Sequence, residues 1–218
     1  MGLGVVWGKS VQWGVDLGGR RTPNKQIIEE SEGVAVPANS PYTTIDELVA
    51  AWRADPGGVT VGGGSSPGGP DHLFPMELAR AVGIKPADVN YTPYDGGGDL
   101  LAALLGSKID MATTGLGEFT DQIAEGKIRV LAVSGEKPVA GVDAPTLQEA
   151  GIDLVFINWR GVLAPPGISA ERKQQLIDLI TQMHASQQWK DQLAKYDWTD
   201  AFLVGDEFGT FLKEQDQM

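Results

Sequence analysis

Three glycine clusters and two isolated histidines are the features of this sequence whose residue types and spacing could do chemistry. The first cluster runs from Gly62 to Gly69. Within it, Gly64-Ser65-Ser66-Pro67-Gly68 matches the G-x-S-x-G pattern of a serine hydrolase. The match lies between a predicted strand and a predicted helix, where a nucleophile elbow belongs. His184 follows in the required chain order, with several Asp and Glu residues between. Ser66 would be the nucleophile. The residue after it is Pro67, which has no N–H to offer an oxyanion. Losing one such donor costs about 3–4 kcal/mol of transition-state stabilisation. A serine hydrolase using Ser66 therefore stands as the weaker alternative to a binding protein without chemistry.

The other chemistries fit less well. A zinc site needs three or four ligands at suitable spacing. The sequence offers only His72 and His184, no His-x-x-x-His and no cysteine, so neither a metal nor a cofactor is expected. Gly62-x-Gly64 would need a third glycine at Pro67 to read as a dinucleotide loop, and Gly96-x-Gly98 would need one at Leu101. No Gly-Lys-Ser/Thr is present for a nucleotide phosphate loop. One glycine cluster by itself is usually a tight turn beside a helix. Three at the same end of successive strands are better explained as backbone lining a shared cleft.

The elements that must position these loops are readable in outline. Val34 to Pro37 reads as a strand ended by proline. Thr44 and Glu47 form a capping box before a helix whose face carries Leu48, Val49 and Trp52. A strand–loop–helix pattern then recurs. Val59 to Val61 leads through the first glycine loop to a helix from Pro70 to Val82. Val89 to Tyr94 leads through Asp95-Gly96-Gly97-Gly98 to a helix ending at Leu104. Ile109 to Thr114 leads through Gly115-Leu116-Gly117 to a helix ending at Ala124, and Ile128 to Ser134 is a further strand. Such alternation predicts a parallel or mixed sheet covered by helices, with ligands at the C-terminal strand ends. Leu154 to Leu163 is another apolar stretch. Ser169 caps a predicted helix with Leu176, Ile177, Ile180 and Met183 on one side. Two helical segments, Ser186–Tyr196 and Asp206–Lys213, follow. Residues 1–25 show no clear periodicity and read as irregular or as outside the native design.

The totals agree with a globular binding protein. The 218 residues, 42% of them hydrophobic, suffice for one large domain or two small ones. A net charge of −12 argues against nucleic acid as a partner. It does not argue against an anionic ligand held by local N–H groups at helix starts. No apolar run approaches the ~18 residues of a membrane span.

Several ordered motifs carry a resemblance. They are Val34-Ala35-Val36-Pro37-Ala38-Asn39-Ser40-Pro41-Tyr42, Gly62 through His72, Tyr94 through Gly98, Leu131-Ala132-Val133-Ser134, Asp143 through Leu147, and Asn158 through Gly167. In this order they resemble the substrate-binding proteins of tripartite tricarboxylate transporters, the Bug family, from about residue 22 to the C-terminus. The resemblance implies an α/β, periplasmic-binding-protein-like (type II) two-domain fold. It implies an extracytoplasmic component that binds a small carboxylate and hands it to membrane permease subunits. Binding is expected through backbone N–H groups, hydroxyls and ordered water, with little reliance on arginine. No Lys or Arg lies between Arg53 and Arg80, around the longest glycine loop, in agreement.

Carried over by resemblance as ligand-binding are Gly64, Ser65, Ser66, Gly68 and His72, and from the next loops Asp95, Gly96, Gly97, Gly98, Thr114 and Gly115. Each has a plainer alternative: turn-forming glycines, Ser66 as a helix cap, Asp95 as a cap on the helix after Gly98. The family's first domain is much longer than what precedes Val34 here. Residues 1–36 are accordingly expected to be a remnant of it or a non-native segment. Residues 37–159 are expected to form the second, ligand-binding domain, and residues 160–218 a helical return to the first. Residues 1–21 do not read as a signal peptide, so a periplasmic location rests on resemblance alone. A largely missing first domain would leave apolar surface exposed and favour self-association. It also raises a third reading, a truncated remnant that binds nothing tightly.

Overall fold

The computed structural model describes residues 4–7, 22–196 and 198–217. Two compact units emerge, one of residues 31–157 and one of residues 1–30 with 158–218. The chain divides at 30/31 and 157/158, not at the expected 37 and 159, and one long strand contributes to both units.

That strand, β2 (Thr22–Pro37), is sixteen residues long. It starts well before the expected Val34. Its middle, Gln26-Ile27-Ile28-Glu29-Glu30-Ser31-Glu32, is rich in glutamate, a residue depleted in strands. Pairing decides the conformation there. In the 31–157 unit, Glu32 to Ala35 lie antiparallel to β5 (Met111–Gly115), and Gly33 to Pro37 lie antiparallel to β6 (Ile128–Val133). On the far side of β5, β3 (Thr60–Gly63) runs parallel to it and to β4 (Asn90–Pro93). The order is β6-β2-β5-β3-β4, with β2 alone reversed.

Helices α1 (Ile45–Ala54), α2 (Pro70–Ala81), α3 (Gly97–Leu105) and α4 (Thr120–Ala124) fill the connections. Alternate strand residues face two apolar layers, as period 2 requires. Val34, Val36, Val61 and Met111 join Trp52, Phe74, Leu78 and Phe156 in one layer. Ala35 and Ala112 join Leu100, Leu104 and Phe119 in the other. The capping box at α1 is shifted by one residue. Thr44 accepts from the Glu47 N–H, but the Glu47 carboxylate reaches Thr43, taking its N–H at 2.7 Å and its hydroxyl at 2.8 Å. Those donors hold the Glu47 carboxyl below its ordinary pKa.

In the other unit, β7 (Ile157–Ala164) neighbours β2 and pairs antiparallel with β1 (Gly4–Trp7). The expectation that the first residues are irregular is corrected over Gly4 to Trp7, which run from Gly4 opposite Leu163 to Trp7 opposite Arg160. Residues 8–21 lie outside the described residues. A strand missed in the sequence, β8 (Thr199–Val204), pairs antiparallel with the first half of β2. Helices α5 (Ala170–Ala185), α6 (Gln187–Tyr196) and α7 (Asp206–Gln217) complete the unit. Ser169 caps α5 by accepting the Arg172 N–H. Leu176 and Ile180 are buried, whereas Met183 is exposed, as is Leu179. Trp159 packs edge-on against Phe208 and Phe211. Beside it Arg160 donates to Glu30 at 2.9 Å and lies over the Trp198 ring.

Candidate functional site

Because β3, β4 and β5 are parallel, their C-terminal ends and the glycine loops that follow lie at one end of the sheet in the 31–157 unit. The loops are stitched together. The Tyr94 N–H donates to the Gly63 carbonyl at 2.8 Å, and the Gly96 N–H donates to the Gly64 carbonyl at 3.1 Å. A Cβ on Gly64 would sit 3.0 Å from the Gly96 carbonyl carbon and 3.2 Å from the Gly97 nitrogen. Glycine is required at 64 because two backbones meet there. Gly96 has φ +95, a conformation that side chains disfavour. The third loop touches the second, since the space beside the Gly97 Cα is taken by the Glu118 side chain.

Within the first loop, most polar groups brace the loop itself. The buried Asp71 carboxylate accepts the Gly64 N–H at 2.7 Å. The Asp71 N–H donates to the Ser65 hydroxyl at 3.2 Å. The Asp71 carbonyl accepts from the buried Thr113 hydroxyl at 2.9 Å. His72 Nδ1 accepts the Gly68 N–H at 3.1 Å. That bond requires Nδ1 without a proton, so Nε2 carries it. Burial lowers the His72 pKa from its ordinary value, in the same direction. The ring meets Tyr91 edge-on, centroids 4.7 Å apart. Tyr91 aims its buried hydroxyl at Gly63, and its pKa is raised by burial first, then by the charges of Asp71 and Glu32.

The residues singled out in the sequence thus divide. Gly64, Ser65, Gly68 and His72 are brought together with Gly96 and Gly97. Ser66 is exposed, and Ser65 rather than Ser66 takes a helix-start N–H. Asp95 is exposed and caps nothing, for the cap position of α3 is Gly96, without a side-chain bond. Gly98 is exposed with open space around it. Thr114 and Gly115 are buried in β5, opposite Gly33 and Glu32. Sequence reasoning missed Asp71, Tyr91 and Glu118. An acidic residue just inside a helix that begins with proline was the available signal for Asp71.

Donors remain. Among the described residues, the Ser65 and Ser66 N–H groups have no acceptor within the unit. The first turn of α3 adds N–H groups without a side-chain cap. Such donors suit a carboxylate. No group of three His, Cys, Asp or Glu residues able to hold a metal is gathered among the described residues. The hydrolase reading loses its geometry. Helix α2 begins only at Pro70, well past Ser66, so no elbow forms. His184 belongs to the other unit, where Nε2 lies 2.8 Å from Asp200 and the ring stacks on Phe202.

The profile of the tripartite tricarboxylate transporter family receptor (TctC) matches residues 21–216. A Cupriavidus necator relative, the UPF0065 protein in the gbd 5′ region, is 32% identical over 84% of this chain and 55% of its own length. Protein BugT of Bordetella pertussis is 29% identical over 57% of this chain and 37% of its own. The chain spans about half the length, or less, of the curated relatives it matches. Among solved structures, a TctC solute-binding protein from Polaromonas aligns at TM-score 0.75 and 24% identity, over 98% of this chain and 74% of that one. MatC from Rhodopseudomonas palustris, with bound malate, aligns at 0.77 and 19%, over 91% and 69%. An R. palustris protein with adipate aligns at 0.77 and 22%, over 95% and 68%. These similarities show a periplasmic solute-binding fold, and with the family match over most of the sequence they establish that the chain belongs to the tripartite tricarboxylate transporter receptor family, a family of receptors rather than enzymes.

Proposed function

We propose that this chain is the solute-binding component of a tripartite tricarboxylate-type transporter, and that the loop after β3 holds a carboxylate of a small solute. The observation that carries this reading is the pair of unpaired Ser65 and Ser66 N–H groups, on a loop locked by Asp71 and His72 and stitched to the uncapped start of α3. A locked loop loses little conformational freedom on binding. The Ser66 hydroxyl, exposed on the same loop, is a further donor. In this assignment Gly64, Gly68, Gly96, Gly97, Gly98, Asp71 and His72 shape the site. Malate and adipate in related folds support a carboxylate. By family, the periplasm is the location, and membrane permease subunits are the receiving partners. Leu179 and Met183, exposed one turn apart on α5, support self-association as well.

Thermal-shift screening of the purified chain against mono-, di- and tricarboxylates, followed by calorimetry, tests the reading. A ligand at about 100 times its Kd adds roughly 2.7 kcal/mol of stability. A saturable response to at least one carboxylate class is expected, weakened by Ser66→Ala. A flat response across the panel would overturn the proposal.

A further inference from the structure

The basic residues of the 31–157 unit are segregated along its strands. Arg53 and Arg80 lie in the last turns of α1 and α2. Lys85 and Lys108 lie in the connections that lead into β4 and β5, and Lys127 and Arg129 lie at the start of β6. All six are therefore at the end of the sheet opposite the glycine loops. Arg53 and Arg129 are further tied there, donating to the carbonyls of Val82 and Tyr42. Only Lys137, in the loop after β6, is at the ligand end. Asp71, Asp95, Asp99 and Glu118 all stand at that end.

Glu118 is distinguished among them by its seat. It lies in the short turn after β5, and its carboxyl carbon is 2.6 Å from where a Cβ on Gly97 would be. Gly97 is the first residue of α3. The chain's own carboxylate thus already occupies the flank of the helix start that an anion would be drawn to. It adjoins the first loop, because the Gly97 nitrogen is 3.2 Å from the Cβ position of Gly64.

Resting on the reading above, in which Ser65 and Ser66 take one carboxylate, we propose that Glu118 is a specificity-determining residue. It makes the neighbouring position, over the first turn of α3, accept an ammonium group and reject a second carboxylate. The ligand class is then a small amino-carboxylate rather than a dicarboxylate. Like charges repel and unlike charges attract at close range, and of the basic residues of the 31–157 unit only Lys137 lies at this end, so a second carboxylate beside Glu118 is repelled and a cation is held.

Calorimetry on the whole chain tests this with three matched series of short straight-chain ligands: alkyl monocarboxylates, ω-amino carboxylates and α,ω-dicarboxylates. The wild type should bind the amino series tightest and the dicarboxylates weakest. Glu118→Gln should bring dicarboxylates up by about tenfold, which is 1.4 kcal/mol, and amino carboxylates down by a similar factor. Monocarboxylates should stay within about twofold. Glu118→Ala should behave like Glu118→Gln, and an unchanged melting temperature for either confirms folding. If dicarboxylates already equal the amino series in the wild type, or both variants leave the ratio unchanged, Glu118 has no such role and the carboxylate site stands. If no member of any series binds wild type or variants, both proposals fall together.

Discussion

The Gly64 N–H donates to the buried carboxylate of Asp71 at 2.7 Å, tying the first strand-end loop to the helix it leads into. Asp71→Ala leaves that N–H without its acceptor and removes a charge-assisted bond. The loss should be about 1–3 kcal/mol, with a larger proportional loss of carboxylate affinity because the loop is unlocked. Urea denaturation and calorimetry on the same samples measure both. An unchanged Kd in a destabilised variant would separate Asp71 from the site.

Gly64 and Gly98 belong to neighbouring loops but differ in surroundings. Gly64→Ala drives a methyl against the Gly96 and Gly97 backbone, which cannot yield as a side-chain tip would. Affinity should fall at least tenfold. Gly98→Ala meets nothing within 4 Å and lies inside the first turn of α3. It should bind normally and gain up to about 1 kcal/mol from reduced chain freedom. Equal effects of the two would contradict the packing described.

Ser65 and Ser66 should respond differently to alanine. Ser65 accepts the Asp71 N–H at 3.2 Å, so Ser65→Ala should cost about 1 kcal/mol of stability as well as affinity. Ser66 is exposed, so Ser66→Ala should leave the melting temperature unchanged and weaken carboxylate binding by about 0.5–1.5 kcal/mol. Esterase activity that vanishes in Ser66→Ala would instead revive the hydrolase.

His72 makes loop stability depend on pH. Burial lowers its pKa in the folded state from the ordinary 6.5, and the Gly68 N–H bond to Nδ1 needs the neutral ring. The unfolded chain therefore binds a proton first as pH falls. The His72 contribution is fully present above 6.5 and is lost as pH drops through the lower folded value. Denaturation at neutral pH and near pH 5 should show the wild type losing more stability than His72→Phe. Faster exchange of the Gly68 amide at the lower pH should accompany it.

In the other unit, Glu30 and Arg160 form an ion pair at 2.9 Å with both side chains largely buried. Glu30→Ala should cost about 3–5 kcal/mol, because a largely buried guanidinium loses its carboxylate partner at 2.9 Å. Replacing both, as Glu30→Leu with Arg160→Met, should recover most of that loss, read by urea denaturation. A double variant as unstable as the single one would mean that the pair itself, and not the cost of removing one of its partners, is what stabilises.

The sequence by itself determined the local features. Thr44 and Ser169 announce helices, because a hydroxyl before an apolar-periodic segment satisfies orphan N–H groups wherever the helix packs. The glycine clusters announce loops at the ends of β3, β4 and β5, and the ordered motifs announce the family. Tertiary structure alone decided the rest. The glutamate-rich middle of β2, together with β1 and β8, became strands because partners distant in sequence supply their backbone hydrogen bonds. Pro67 and Ser66 do not show that Asp71 would reach back to Gly64. No spacing rule sets Glu118 against Gly97, since that contact exists only once β4 and β5 lie on either side of β3 and bring the loops after them into one place. Local backbone preferences act within a few residues and can be read from the chain. Register, burial and the charge seated at a site depend on which distant segments meet.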